Sequence, residues 1–297
     1  MVWQERTWTK GRKHLSYMRD VNAQTITDGV RYSCIEACNV LPDDVLDALE
    51  RARKIEESPI GRNVLDQLIE NARIAREEAV PICQDTGLTI VFVELGQDVH
   101  ITGGSLTEAI NEGVRRGYEE GYLRKSVVRH PLERVNTEDN TPAVIHIDVV
   151  SGDKLKITVA PKGGGSENMS IAKVLKPSDG VEGVKRLVVE TVREAGSNPC
   201  PPIIVGVGMG GTLEKAALLS KKAILRRVGE PSRNPIDAKL EAELLSLVNT
   251  IGIGPAGLGG SVTALAVNVE SYPCHIAGLP VAVTLQCHAA RHKTIVI

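Results

Sequence analysis

The chain has 297 residues, of which 42% are apolar, so it can bury a large core in one big domain or in two ordinary ones. Its net charge of -2, with only one Phe and two Trp, excludes nucleic acid and anionic membranes as main partners. There is no apolar run of about 18 residues and residues 1–20 lack an apolar signal core, so we expect a soluble, cytoplasmic protein.

The first element predicted is a helix that begins near residue 23. Ile26, Val30, Cys34 and Cys38 recur at four-residue spacing, which places all four on one buried face. Two cysteines at this spacing can also ligate a metal, but no partner pair of Cys or His lies nearby. We therefore interpret Cys34 and Cys38 as core thiols.

Two further helices and a strand follow. Pro42, Asp43 and Asp44 begin the second helix, because proline and early acids suit a first turn. Residues 58–61 (Ser-Pro-Ile-Gly) break the pattern before a third helix over residues 63–78. The β-branched run 88–95 predicts a strand that is buried on both faces and ends at Gly96.

The middle of the chain alternates between helical and strand patterns. Ser105 and Glu108 form a capping box that opens a helix reaching about residue 121. Strands over residues 143–150 and 154–160 flank Ser-Gly-Asp (151–153), which predicts a β-hairpin.

The last part of the chain continues this alternation. It predicts helices over residues 181–194 and 213–227 and from residue 235, and strands over 203–207, 263–269 and 281–285. There is no internal repeat or low-complexity linker. We therefore expect an α/β (α+β) fold, with a helical N-terminal portion followed by mixed sheets with helices. Residues 23–297 form one unit, and residues 1–22, which carry Trp3 and Trp8, form an N-terminal extension.

A glycine-rich segment from Gly206 to Gly211 fits the G-x-G-x-x-G pattern after a strand and before a helix, which is the context of a dinucleotide-binding fold. It makes a nicotinamide-dependent oxidoreductase an alternative function. After the following helix, however, the chain runs into Gly-Glu-Pro-Ser (229–232), with no second strand to carry a ribose-binding acid. We therefore favour the interpretation that these glycines allow two backbone segments to approach closely over the interpretation that they bind a dinucleotide.

Three cysteines lie in loops next to prolines or polar residues, where buried structural cysteines are unusual: Cys83, Cys200 and Cys287. Six cysteines in 297 residues do not suggest a disulfide scaffold, so these cysteines are core residues, metal ligands or nucleophiles. With His275 or His288, three thiolates complete a zinc site. They also suit an iron–sulfur cluster with one open, Lewis-acidic iron. The residues alone leave cluster, zinc and plain core thiols open.

Six segments, in this order, resemble the iron-dependent class I fumarate hydratase family, which includes L-tartrate dehydratase. They are Cys-Gln-Asp-Thr-Gly (83–87), Asp-Asn-Thr-Pro (139–142), Lys-Gly-Gly-Gly-Ser-Glu-Asn (162–168), Asn-Pro-Cys-Pro-Pro (198–202), Gly-Met-Gly-Gly-Thr (208–212) and Gln-Cys-His-Ala-Ala-Arg-His (286–292). The resemblance covers about residue 25 to the end. It implies a single catalytic unit bearing a [4Fe-4S] cluster on Cys83, Cys200 and Cys287.

The resemblance also implies roles for residues around this centre. Asp85 and His275 resemble catalytic residues of the family. The residues that resemble substrate ligands are Gln84, Asp85, Arg124, Gly164 and Gly165. Simpler interpretations remain: Arg124 as a surface ion pair, His275 as a core histidine and Asp85 as a turn cap.

The function that the resemblance implies first is reversible hydration of fumarate to L-malate by the α subunit of an iron–sulfur hydro-lyase. An L-tartrate dehydratase α subunit is the alternative in the same class, and a non-catalytic zinc- or cluster-bearing subunit is a third. Single-chain family members continue into a second domain, whereas this chain ends ten residues after Cys287. We therefore expect a β subunit, a small dicarboxylate substrate and a homodimeric contact between α subunits.

Overall fold

The computed structural model describes residues 18–297, so the predicted extension lies outside the described residues up to residue 17. The helices of the described part are α1 (Ala23–Asn39), α2 (Asp43–Ile55), α3 (Pro59–Glu78), α4 (Leu106–Glu120), α5 (Gly164–Glu167), α6 (Gly180–Ala195), α7 (Leu213–Ala223) and α8 (Pro235–Asn249). The strands are β1 (Arg19–Asn22), β2 (Leu88–Gly96), β3 (Val99–Thr102), β4 (Val144–Val150), β5 (Leu155–Lys162), β6 (Ile171–Leu175), β7 (Ile203–Gly211), β8 (Ala264–Cys274), β9 (Leu279–Gln286) and β10 (Lys293–Val296).

The strands form two four-stranded sheets and one small sheet. The first sheet has the order β10-β5-β2-β4 and the second the order β6-β9-β7-β8, while β1 pairs with β3. Each larger sheet is mixed, because β2–β4 and β7–β8 are parallel and the other neighbours are antiparallel. The mixed α/β fold class is confirmed. The last four residues of the predicted extension, 19–22, form β1.

Helices α1 and α4 pack closely on the first sheet. The predicted buried face of α1 is confirmed, since Ile26, Val30, Cys34 and Cys38 are all fully buried. A Cβ added to Gly113 of α4 would lie 2.7 Å from the Cβ of Val30, so the glycine lets the two helices approach.

The third helix begins earlier than the sequence predicted, at Pro59 instead of residue 63. Ser58 accepts a hydrogen bond on its side-chain oxygen from the backbone N–H of Gly61 at 3.1 Å, which caps the helix. A proline in the first turn costs nothing, because the N–H that it lacks would have no partner in the helix. The predicted break is therefore the helix start.

The predicted hairpin over residues 143–160 is wrong. Strands β4 and β5 are antiparallel to each other but do not pair, because β2 lies between them and bonds to both. The short connection between them passes over the end of β2, where Gly96 donates to the carbonyl of Lys154 at 2.9 Å. A Cβ on Gly96 would lie 2.4 Å from the carbonyl oxygen of Gly152, so only glycine admits this crossing.

The glycines of the candidate dinucleotide motif lie within strand β7, which extends to Gly211. Cβ atoms on Gly206 and Gly208 would lie 2.2 and 2.0 Å from carbonyl oxygens of α7. A dinucleotide fingerprint needs its glycines in the turn after the strand. The structure explains these glycines by close packing of α7 on β7, as we favoured, and it forms no dinucleotide-binding turn here.

Three hydrophobic clusters make up the core of residues 18–297. One joins α6 and α8 to the second sheet, and another joins α1 and α4 to the first sheet. The third surrounds α2 and α3, and both Cys83 and Cys287 pack against it. Each fully buried Leu or Ile in such clusters contributes about 1.5–3 kcal/mol. The third cluster therefore fixes the positions of two cysteine loops at once.

Candidate active site

Cys83, Cys200 and Cys287 lie in the first, second and third cysteine loops. The second and third loops meet because β7 and β9 are antiparallel neighbours. Cys200 lies just before β7 and Cys287 directly after β9, and the register pairs Ile204 with Gln286. The start of one strand therefore lies beside the end of the other. His288 completes the junction, since its Nδ1 lies 3.0 Å from the carbonyl oxygen of Cys200.

Cys200 has a left-handed backbone, with a φ of 54°. This conformation costs a non-glycine residue about 1–2 kcal/mol, so the surrounding bonds must maintain it. The backbone N–H of Cys200 donates to the carbonyl of Ser197 at 3.0 Å, and Ala256 donates to the carbonyl of Pro201 at 2.8 Å. The result is a fixed loop that presents an exposed thiol.

The first cysteine loop, which carries Cys83 between α3 and β2, is hydrogen-bonded to the glycine loop (residues 163–165) that follows β5. Leu88 pairs with Lys162 across the first sheet, which brings the two loops side by side. The Asp85 carboxylate accepts hydrogen bonds from the backbone N–H groups of Gly87 at 3.0 Å and Gly164 at 2.8 Å. Asp85 thus has a fixed orientation two residues beyond Cys83.

The three thiols lie near enough to influence one another. Partial burial by its own loop raises the pKa of the exposed Cys200, and the charges of Cys287, Cys83 and Asp85 raise it further. Burial also raises the pKa of Cys287, although Arg291 and Lys162 partly offset this. The structure therefore brings together the three cysteines that the sequence proposed as ligands.

The other three cysteines do not lie in these loops. Cys34 and Cys38 are buried on α1, and burial raises the pKa of Cys38 to about 11, so both remain neutral core thiols as predicted. Cys274 is exposed at the end of β8.

The three cysteines form a donor set that fits an iron–sulfur cluster better than a single metal ion. Within residues 18–297, no group of three or more His, Cys, Asp or Glu forms a site for a metal ion. An iron–sulfur cluster has a different requirement, because each thiolate binds its own iron and the thiols surround a cage. Three interacting thiols from three separate loops fit that requirement.

A buried cation beside the thiols strengthens this fit. Arg291 is 2% exposed, and its Nη2 donates to the backbone oxygen of Asp85 at 2.5 Å. Its Nε and Nη1 have no hydrogen-bond partner among the residues the structure describes. Buried polar groups are nearly always paired, so these free donors suit an anionic group held by Cys83, Cys200 and Cys287.

A cavity of about 480 Å³, within the usual range for small-molecule sites, lies between the loop that follows Cys83 and the loop that follows β5. Its lining includes Asp85, Arg124 and Gly164, three of the predicted site residues. Lys162 and Glu167 also line it, although the sequence analysis assigned them no role. The cavity therefore offers two cationic and two acidic side chains to a small polar ligand.

Lys162 is the missed residue with the most unusual environment. It is 4% exposed at the end of β5, and burial lowers its pKa to about 8. Its Nζ donates to the Ser166 hydroxyl at 2.6 Å and lies 3.5 Å from the Glu167 carboxylate, which also binds Lys221. The only sequence signal was its position at the head of the Lys-Gly-Gly-Gly segment, since burial is not visible in a local pattern.

Arg124 is positioned through its backbone. Its carbonyl oxygen accepts a hydrogen bond from the Thr86 hydroxyl at 3.0 Å. Asn140 accepts from the backbone N–H groups of Ser126 at 2.7 Å and Val127 at 3.3 Å, and donates to the carbonyl of Gly87 at 3.3 Å. The Arg124 segment is therefore fastened to the first cysteine loop.

His275 is not brought to this site within the chain. It lies in the exposed turn between β8 and β9, where its Nδ1 accepts from Ala277 at 3.1 Å, and it borders a separate groove. The eight residues of β9 separate this turn from Cys287, which is roughly 27 Å of extended strand. Its catalytic role stays a prediction.

The remaining predicted ligands lie close to the cysteines. Gln84 is exposed directly after Cys83. A Cβ on Gly165 would lie 3.1 Å from the carbonyl oxygen of Asn198, so the glycine loop packs against the second cysteine loop. Their roles as substrate ligands also stay predictions.

Comparison with known proteins identifies the family. The family model described as "Fumarate hydratase (Fumerase)" matches residues 27–296. The chain belongs to the fumarate hydratase family. This confirms the resemblance that the six sequence segments indicated and supports hydro-lyase chemistry.

Relatives within the fumarate hydratase family carry a more specific name. A Methanocaldococcus jannaschii protein named "Putative L(+)-tartrate dehydratase subunit alpha" is 49% identical over 262 residues, which cover 86% of this chain and 92% of the relative. Two Escherichia coli proteins named "L(+)-tartrate dehydratase subunit alpha" are 37% and 36% identical over 261 residues, covering 86% of each chain. The chain is therefore an α-subunit member of the fumarate hydratase and tartrate dehydratase family.

No helix in residues 18–297 combines the length and apolar character needed to cross a membrane.

Proposed function

We propose that this chain is the α subunit of an iron–sulfur L(+)-tartrate dehydratase, which removes water from tartrate to give oxaloacetate. The sequence placed fumarate first and tartrate second, and the names of the relatives support the reverse order. The observation that carries the hydro-lyase function is the convergence of the loops of Cys83, Cys200 and Cys287 near a cavity lined by Arg124, Lys162 and Asp85.

In this proposal Cys83, Cys200 and Cys287 hold a [4Fe-4S] cluster. When bound, the cluster supplies an iron without a protein ligand that acts as a Lewis acid toward a substrate hydroxyl.

The side chains of the cavity bind and orient the substrate. Arg124 offers two parallel N–H donors to a substrate carboxylate, a geometry that a lysine does not provide. Lys162, which is buried, adds a second positive charge to the lining of the cavity. Asp85 keeps its carboxylate fixed by two backbone N–H groups, so it can accept a hydrogen bond from a substrate hydroxyl without reorganising.

We further infer a β subunit. The three relatives are named as α subunits, which supports a partner of a different chain type. A dicarboxylate has two charged ends, and the charge of Lys162 is already paired with Glu167 at 3.5 Å. We therefore expect the partner to supply a further cationic clamp and the proton-transfer group. An assembly of two α and two β subunits, with contact between the α subunits, is consistent with the permanent interfaces of such enzymes.

The test is a substrate comparison on the anaerobically co-purified α and β subunits. We expect a higher kcat/KM for L(+)-tartrate than for fumarate, because a site built to hydrogen-bond an extra hydroxyl discriminates strongly against a substrate that lacks it. A preference for fumarate or L-malate would restore the fumarate hydratase function, which the name of the family model favours. Absence of both activities from a cluster-loaded complex would contradict the hydro-lyase proposal.

A further inference from the structure

Arg291 connects the first and third cysteine loops from inside the protein. It follows Cys287 by four residues and donates through Nη2 to the backbone oxygen of Asp85, two residues after Cys83. Only 2% of its surface is exposed. An arginine is rarely buried so completely without a charged partner. The groups around Arg291 therefore indicate which negative charge balances it.

The groups near Arg291 that can carry a negative charge are the thiols of Cys287, Cys38 and Cys83 and the phenol of Tyr118. Tyr118 and Cys38 are neutral at ordinary pH, because burial raises the pKa of both. Of the four groups, only Cys287 and Cys83 belong to the candidate centre, where metal binding deprotonates thiols.

We propose that Arg291 is the counter-cation of the three-thiolate centre, so that a charge which destabilises the chain before cluster binding is compensated when the cluster binds. Its free Nε and Nη1 groups would then donate toward the anionic centre. The inference rests on the proposed [4Fe-4S] cluster and adds a coupling between cluster binding and stability.

Two substitutions separate the charge of Arg291 from its hydrogen bond. Arg291→Met removes the charge and fills the space with a flexible apolar chain, whereas Arg291→Lys keeps the charge and loses the planar fork. Melting temperatures are measured anaerobically before and after reconstitution with ferrous iron and sulfide. The rate of iron loss to a chelator is a second readout.

Before reconstitution we expect Arg291→Met to melt about 2–4 °C above the wild-type chain, because replacing an uncompensated buried charge by an apolar group is neutral or stabilising. After reconstitution Arg291→Met should gain less than the wild-type chain and lose iron about 10- to 100-fold faster. Arg291→Lys should resemble the wild-type chain in its gain.

A lower melting temperature of Arg291→Met before reconstitution, with the wild-type gain on loading, would overturn the proposal and make Arg291 an ordinary donor to Asp85. Equal behaviour of the methionine and lysine variants would overturn it too, because the charge would then be irrelevant. If the wild-type chain takes up no iron, the proposed function fails. The comparison before reconstitution still decides in that case: a higher melting temperature of Arg291→Met supports the uncompensated cation, and a lower one rejects it.

Discussion

Arg124 is the residue whose chemistry is easiest to test, because a substitution can keep its charge and remove its geometry. Arg124→Lys should raise the KM for the dicarboxylate roughly 10- to 100-fold, since loss of a bidentate contact costs about 1.5–3 kcal/mol. The measurement is steady-state kinetics of the α/β complex.

A matched control for this substitution lies on the same loop. Arg129 is exposed but does not line the cavity, so Arg129→Lys should leave KM unchanged. If Arg124→Lys also leaves KM and kcat unchanged, Arg124 lies outside the substrate site.

Glu56 is a buried carboxylate whose contribution to stability should depend on pH. It is 2% exposed and accepts hydrogen bonds from the backbone N–H groups of Ser58, Ser261 and Val262 at 2.8–2.9 Å. Burial raises its pKa, but these bonds outweigh burial and lower the pKa below 4.5. Its folded pKa is therefore below its unfolded pKa. The stabilisation is present above the unfolded pKa and is lost as pH falls through the folded pKa.

Glu56→Gln should destabilise the chain by about 1–3 kcal/mol at pH 7, because the NH₂ group of glutamine would face the backbone N–H groups that now donate to the carboxylate. Urea unfolding at pH 7 and at progressively lower pH measures the difference between the variant and the wild-type chain. The difference should shrink as the wild-type carboxylate becomes protonated. A difference that stays constant over this range would show that the charge of Glu56 is not what stabilises the loop.

The sequence identified which cysteines belong to the site, but it did not reveal which charged residues are buried beside them. Cys83, Cys200 and Cys287 stood out because prolines and polar residues set them apart from the periodic apolar pattern. Lys162 and Arg291 carried no such signal, because what distinguishes them is burial by distant parts of the chain. A local sequence pattern shows only residue type and spacing. The burial of a charged side chain depends on the whole fold, so the pattern does not predict it.

Asn140 positions the segment that carries Arg124, so it acts at the scale of an element. It is fully buried and has a φ of 60°. Asn140→Gly retains this backbone conformation and removes the three hydrogen bonds, whereas Asn140→Ala removes the bonds and adds strain of about 1–2 kcal/mol. Both should raise KM through Arg124, and the alanine variant should be the less stable by that amount.

Unfolding free energies and KM values of the two Asn140 variants check this prediction. Equal stability of the alanine and glycine variants would mean that the backbone relaxes. A wild-type KM in both would mean that Asn140 does not position Arg124.

The elements themselves were largely predictable, and their pairing was not. Apolar periodicity located α1 because this helix buries one face. The capping-box pattern located α4, although Ser105 makes no side-chain capping bond in the structure. The β-branched run located β2. The hairpin was mispredicted because the alternation in β4 and β5 is equally compatible with direct pairing and with pairing to a strand between them. The connection between β4 and β5 crosses β2 at Gly96, where only glycine fits. A single glycine in the sequence does not reveal that a crossing occurs there.

For the whole molecule, the account predicts that this chain contributes only part of an active site. The isolated, cluster-loaded chain should turn over tartrate or fumarate negligibly, and addition of the β subunit should restore activity. The reason is that binding a dicarboxylate and moving a proton need groups beyond those that line the cavity. Turnover by the isolated chain comparable to that of the complex would contradict this division of labour.

The central claim is that three cysteines from three separate loops hold one iron–sulfur centre, and iron and sulfide analysis of the anaerobically purified chain tests it most directly. We predict about four iron and four sulfide per chain. Both should be lost in Cys83→Ser, Cys200→Ser and Cys287→Ser and retained in Cys34→Ser and Cys38→Ser. A colourless wild-type chain that binds zinc, or full iron content in any of the first three variants, would contradict the account.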